Sequence, residues 1–301
     1  MAFEPTPPYA LFPVRAGMVG WRSKFNRSGA TVPRVEIRLL RTFDEFRACE
    51  GIQKEVWGTL AVGCELMRVT QKYAGVVLGA LVKNEVIGFI YAILARRHGR
   101  LIHWSHMMAV REGFRNLGLG FRMKLAHRKL ALAQGIKSIC WTFDPLQSRN
   151  ATLNLARLGT SVEEYVPDCY GQFHSAIEKG LPSDRFVVNW RIASQRVEER
   201  LRHGPPPHPR ESFPCVNSTQ LNDEGFLMNT DRRLGLRASC LLVEIPANTD
   251  AMRAKNLKLA LRWRMETREI FQAYLRAGYS VASFLPPDLE TAGKCFYLLH
   301  K

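Results

Sequence analysis

Hydrophobic positions along this chain recur with two different periods, and the alternation between them orders the elements. Leu119, Met123, Ala126, Leu130 and Ala133 return at steps of three and four and predict an amphipathic helix, with Gly135 as its stop. Arg122, Lys124, His127, Arg128 and Lys129 are read as its remaining, surface side. Upstream, LIHWSHMMAV (101–110) reads as a buried strand. Period-two alternation sets Trp104, His106, Met108 and Val110 on one of its faces and His103, Ser105 and Met107 on the other. SICWTFDP (138–145) reads as the next strand, with Ile139, Trp141 and Phe143 on one side, and NATLNLARLG (150–159) as a helix.

Earlier in the chain, RVEIRLL (34–40) is a strand and TFDE (42–45) a capping box that opens a helix. Two strands follow in residues 75–95 and turn near Lys83, Asn84 and Glu85. Later, GLPSDRFVVNWRI (180–192) contains a turn and a strand from Phe186, and SQRVEERLR (194–202) is helical. HGPPPHPRESFPCVN (203–217) is too rich in proline to hold a helix and reads as a linker. The last segment has the order β-α-β-β: SCLLVEIP, a long helix over 248–278, SVASFLP and CFYLLH. Trp263, Thr267, Ile270 and Tyr274 share one stripe of that helix, while Arg264 and Arg268 read as a solvated charged face or, as the alternative, as ligands for an acidic substrate or partner.

The joint between the 101–110 strand and its helix is where chemistry enters. REGFRNLGLGFRMKL (111–125) holds three arginines and two close glycines, with no acidic residue after Glu112. A helix start presents unpaired N–H groups and partial positive charge, so it normally attracts Asp or Glu. Arginines in their place leave room for an external anion, and glycine lets the backbone approach a phosphate closely. The P-loop pattern is missing, and Arg115 stands where a dinucleotide fold needs its first glycine.

R-x-x-G-x-G after a strand, together with N-A-x-x-N-x-x-x-L-G after the next one, resembles the acyl-CoA core of the GNAT acetyltransferase superfamily over about 34–192. The resemblance implies an α/β (α+β) fold: a GNAT-like mixed central sheet flanked by helices, here with a C-terminal β-α-β-β extension. It implies acetyl-CoA or another acyl-CoA as co-substrate, held by Met108, Ala109 and Val110 of the fourth strand, by the loop Arg115, Asn116, Leu117, Gly118, Leu119, Gly120 and Phe121, and by Asn150, which as a bare helix start would simply be an N-cap. His106 is the implied general base, or else a packed histidine. The family's acid, a tyrosine in the following helix, is replaced by Leu155, so Tyr165 or Tyr170 is the downstream candidate, Tyr170 being carried as the catalytic one. The branch it resembles implies a small-molecule amine as acceptor, an amino acid and a dicarboxylic acyl group such as succinyl among the options.

Composition adjusts this picture at the edges. A formal charge of +16, from 43 basic and 27 acidic residues, suits nucleic acid as well as CoA, but no nucleic-acid motif accompanies it and CoA is the expected partner. A non-catalytic GNAT-fold module binding CoA or nucleic acid is the alternative. Seven cysteines without a C-x-x-C pair, and histidines without H-E-x-x-H spacing, point to buried thiols and to no metal; Cys140 reads as a small buried residue rather than a nucleophile. No apolar run is long enough for a membrane span, and Pro5, Pro7 and Pro8 argue against a secretory signal, so a cytoplasmic location is expected. A homodimer is compatible with the chain. The expected organisation is an N-terminal extension over 1–33, a GNAT-like domain over 34–202, a proline-rich linker over 203–236 and a half-domain over 237–301.

Overall fold

The computed structural model describes residues 34–58, 62–171, 180–207, 210–287 and 293–301. The extension expected over 1–33 lies outside them. The chain from Val35 onward begins with β1 (Glu36–Leu39), helices α1 (Phe43–Trp57) and α2 (Cys64–Lys72), β2 (Val76–Val82), β3 (Glu85–Arg97) and β4 (Arg100–Val110). A short turn of 3-10 helix (Glu112–Phe114) leads into α3 (Leu119–Ala133), β5 (Ile139–Phe143), α4 (Ser148–Ala151), a π-helical stretch (Thr152–Arg157), β6 (Ser161–Val166) and β7 (Arg185–Trp190). Then come α5 (Gln195–His203), β8 (Asn217–Leu221), β9 (Leu227–Arg232), β10 (Cys240–Pro246), α6 (Thr249–Lys255), α7 (Leu257–Arg276), β11 (Ser280–Leu285) and β12 (Lys294–His300).

Ten of these strands form one mixed sheet in the order β1-β2-β3-β4-β5-β7-β6-β11-β12-β10. Among the described strands the pairing of β4 with β5 is parallel and the others in this sheet are antiparallel. Parallel neighbours need a crossover, and α3 supplies it. The C-terminal segment extends the sheet rather than standing apart: β11 pairs with β6 at Val281↔Val162, and Val35 to Lys301 is a single compact unit.

Each layer follows from the sequence pattern. The capping box at Thr42 and Glu45 is formed, and the Glu45 carboxylate also accepts from Arg38, whose hydrogen bond does most to hold its pKa down at about 2. α1 and α2 cover one face of β2 to β4 through Phe46, Ile52, Met67, Phe89 and Tyr91. α3 covers the opposite face through Leu119 and Met123 against Leu78, Ile87 and Ile90. Beyond β5 the α3 side continues as one large core in which Trp190, Phe186, Trp263, Phe271 and Tyr297 are almost fully buried.

Several expectations need correction. The segment read as a linker contains a hairpin, β8 with β9, held to β10 by Asn217, whose side chain donates to the Glu244 carbonyl and accepts from its N–H. The long C-terminal helix is two helices that break at Asn256, the residue that caps α7. Arg264 and Arg268 are neither a solvated face nor ligands in waiting. Arg264 is buried and donates to both oxygens of Asp144 (2.7 and 2.6 Å), and Arg268 does the same to Asp184 (2.9 and 2.6 Å). These bidentate pairs pin α7 beside the end of β5 and the start of β7.

Candidate active site

β4 carries a bulge, and the bulge decides which side chains share a face. Met107 pairs with Tyr91 and Ser105 with Ala92, which leaves His106 as the extra residue. Trp104 stays on the α1/α2 face, opposite Ile93, and His106 follows it there, edge-on to Tyr91 at 6.1 Å between ring centres. Met107 then packs on that face as well, while Met108 and Val110 turn to the α3 face with His103 and Ser105. Strict alternation had joined Met108 and Val110 to His106, and the inserted residue breaks that rule.

The same strand parts from its neighbour. β4 and β5 pair only at His103↔Ile139 and Trp104↔Cys140, and beyond that point no further pairing joins them. The N–H of Arg111 donates to the Ile87 carbonyl, which fixes the alternation of the backbone. By that alternation Val110 and Met108 direct their amides away from β3, into the gap, whereas Ala109 directs its own toward β3. The Val110 carbonyl accepts from Arg115 Nε (3.0 Å), anchoring that exposed guanidinium at the mouth of the gap.

At the same mouth α3 begins without a side-chain cap and with no acidic residue in its first turn. Its first backbone donor with an intrahelical acceptor is Arg122, to the Gly118 carbonyl, so Leu119, Gly120 and Phe121 point unspent N–H groups outward. Asn116 and Gly118 both adopt left-handed backbone (φ 64° and 71°), which folds the loop back on itself after Arg115. Leu117 packs among the α3-side core residues. Gly120 lies against Met108 and Leu153: a Cβ there would stand 3.4 Å from the Met108 methyl. Arg157, from the π-helical stretch, stacks on Phe121 at 4.2 Å and adds a second exposed cation near the helix start.

The π-helical stretch has its own cause. Its wide turn, closed by Leu158 N–H to the Leu153 carbonyl, releases the carbonyls of Leu155 and Ala156, and Arg200 donates to both (2.6 and 2.8 Å). Leu155 is a fully buried aliphatic side chain and offers no hydroxyl at that position. Asn150 is the third residue of α4 and is exposed; Gln147 holds the N-cap place, which sets aside the alternative of Asn150 as a simple cap.

Of the two tyrosines considered as acids, Tyr165 belongs to the core, its hydroxyl bound to Asp184 at 2.5 Å, with burial pushing its pKa up. Tyr170 is exposed, with its hydroxyl 2.9 Å from Thr142 Oγ1. Thr142 and His106 are each the second residue past the last β4–β5 pair on their strands. His106 is exposed, yet the protein around it withdraws enough water to push its pKa below the ordinary histidine value. That shift favours the neutral imidazole, the form able to accept a proton.

Cys140 is buried, its thiol pushed up chiefly by burial, and all seven cysteines are free thiols. No described helix is long and apolar enough to cross a membrane. Two clefts, of about 260 Å³ beside Arg232 and Glu266 and about 240 Å³ between Gln147 and Asp250, lie away from the gap.

No family model and no curated protein matches this chain. Among solved structures, similar ones include the ribosomal-protein-S18-alanine N-acetyltransferase from Escherichia coli, at 12% identity over 54% of this chain and 96% of that chain, with a TM-score of 0.44. The putative acetyltransferase yncA from Salmonella typhimurium, with its cofactor acetyl-CoA, is similar at 15% identity over 54% and 96%, TM-score 0.43. A GNAT-family acetyltransferase from Streptococcus pneumoniae is similar at 16% identity over 52% and 98%, TM-score 0.42.

Proposed function

We propose that this chain is an acyl-CoA-dependent N-acyltransferase of the GNAT superfamily, moving an acetyl or succinyl group from CoA to the amine of a small molecule, with amino acids among the acceptors. One observation carries the reading: the gap between β4 and β5, into which Met108 and Val110 direct their amides, opens straight onto the uncapped start of α3. The loop of Arg115, Asn116, Leu117, Gly118, Leu119, Gly120 and Phe121 suits a pyrophosphate, since it offers unspent amides, a helix dipole and arginine together. The backbone of Met108 and Val110 suits the amide-rich arm of CoA, and Asn150 stands ready at α4 for the same arm.

The chemistry then divides between the two faces of the sheet. An amide held in the gap polarises the thioester carbonyl, and its fixed position costs nothing in reorganisation when charge develops on oxygen. The acceptor amine approaches from the α1/α2 face, where neutral His106 takes its proton directly or through water. Tyr170, on that same face beside Thr142, borders the acceptor. Most of the rate comes from holding amine and thioester together. Buried Leu155 favours a second reading, a CoA-binding module without turnover, because it supplies no acid at the position where the family carries one.

Calorimetric titration with acetyl-CoA, succinyl-CoA and a short RNA, each at two salt concentrations, tests the proposal. Saturable binding of one acyl-CoA is expected, and it names the donor. RNA binding that weakens steeply with salt, without acyl-CoA binding, would assign the basic loop to another polyanion.

A further inference from the structure

Lys124 is a lysine buried in the middle of α3. It was read as part of the polar side of α3, but its side chain is buried and faces the sheet, and so is that of His127 one turn on. Lys124 Nζ donates to Ser105 Oγ (3.1 Å) and lies 3.6 Å above the centre of the Trp141 ring. Those two partners have a particular place. Trp104↔Cys140 is the last pair that joins β4 to β5, and Ser105 and Trp141 are the next residue on each strand. The ammonium group thus caps the closed end of the gap on the α3 side.

Among the described residues no carboxylate pairs with Lys124. The other titratable groups beside it are His127 on α3 and His103 on β4, stacked on each other with His103 Nδ1 3.0 Å from His127 Nε2. Each of these rings keeps one buried nitrogen without a partner, His103 Nε2 and His127 Nδ1. Burial lowers the pKa of both, and Lys124 lowers that of His127 further. The Ala74 backbone and Gln134 stand close enough to favour the charged form of His103 weakly, though neither closes a hydrogen bond on Nε2. A lysine so placed costs stability whenever it is charged.

Resting on the acyl-CoA reading, we propose that Lys124 is the proton donor to the departing CoA thiolate, acting directly or through the Ser105 hydroxyl. The three other candidates fail on geometry: Leu155 has no hydroxyl, Tyr165 is committed to Asp184, and Tyr170 stands on the opposite face beside Thr142. The step balances. The acceptor nitrogen bonds to the acyl carbon, the C–S bond breaks with its electron pair staying on sulfur, and an ammonium N–H of Lys124 becomes the S–H of CoA. The proton shed by the acceptor nitrogen leaves by way of His106, and Lys124 recovers one from water once CoA has left. Burial brings Lys124 to about 7, so donor and acceptor protonation states are both accessible near neutral pH.

The test compares CoA with desulfo-CoA, which lacks the sulfhydryl, by titrating each into the full chain from pH 6 to 9. Wild-type protein should prefer CoA over desulfo-CoA by about tenfold or more near neutral pH, because a charged donor beside sulfur stabilises the thiolate. In Lys124→Met the preference should vanish while desulfo-CoA affinity stays, and Lys124→Arg should restore part of it. Should Lys124→Met fail to fold, Lys124→Gln, which keeps a polar group but carries no charge and is expected to lose the preference as well, serves instead. A preference that survives Lys124→Met, or that survives Lys124→Gln when that variant replaces it, overturns the assignment. Failure of both ligands to bind wild-type protein would instead remove the acyl-CoA reading on which it rests.

Discussion

His106 and Lys124 face opposite sides of the same gap, and their environments divide proton transfer between them. At His106 the depressed pKa means that the reactive, neutral form persists to lower pH than for an ordinary histidine. With an acceptor amine in hand, kcat/KM should rise through that pKa and level off as pH increases. His106→Gln should lower the plateau by about a hundredfold and erase the inflection, and an unchanged profile would remove the base. Lys124 has a consequence for stability as well. The folded protein gives up this proton at about 7 and the unfolded chain at 10.5. Between those values the unfolded chain binds more protons, so stability must rise with pH. The gain should be about 2 kcal/mol between about pH 7 and about pH 9, visible as a rising Tm in wild type and missing in Lys124→Met.

Among the elements, α7 shows how the C-terminal segment supports the site without touching it. Arg264 and Arg268 reach the carboxylates of Asp144 and Asp184, which terminate β5 and precede β7. Burial by itself would raise the pKa of Asp184, but hydrogen bonds from Arg268, Tyr165 and the Asp168 amide hold it below the usual carboxylate value. Removing one member of a buried pair strands the other charge. Arg264→Ala should therefore destabilise the protein by about 3 to 5 kcal/mol in denaturant titration, whereas a loss below about 1 kcal/mol would mean water replaces the guanidinium at no great cost. The π-helical stretch shows a comparable exchange, its released carbonyls being met by Arg200 from α5.

For the whole molecule, the ten-stranded sheet makes the two halves of the chain interdependent. β6 is edged by β11, and Phe186 and Trp190 of β7 share one core with Trp263, Phe271 and Tyr297. A chain ending after His203 should expose that core and an unpaired strand edge, so it should aggregate or lose its cooperative melt. A soluble, cooperatively melting fragment would show instead that the first seven strands suffice. Strands β1 to β5 and β7, helices α1 and α3, the capping box, the glycine loop and the C-terminal β-α-β-β order were legible in the sequence, because each depends on contacts a few residues apart, whereas α2 and β6 were not read there. Four further features were missed. The bulge at His106 is set by the register of a strand fifteen residues away, so alternation sent Met108 and Val110 to the wrong face. Lys124 and His127 read as surface because a helical wheel ranks polarity and cannot see that polar groups on the sheet-facing stripe meet one another. Arg264 and Arg268 looked solvated because their carboxylates lie 120 and 84 residues away in the chain. The hairpin of β8 and β9 was hidden in a polar stretch whose buried asparagines are paired only after folding. Local spacing thus determined the elements and the anion-seeking loop, while the partners of buried charge were decided by tertiary structure, since an ion pair depends on distance in space and leaves no period in sequence.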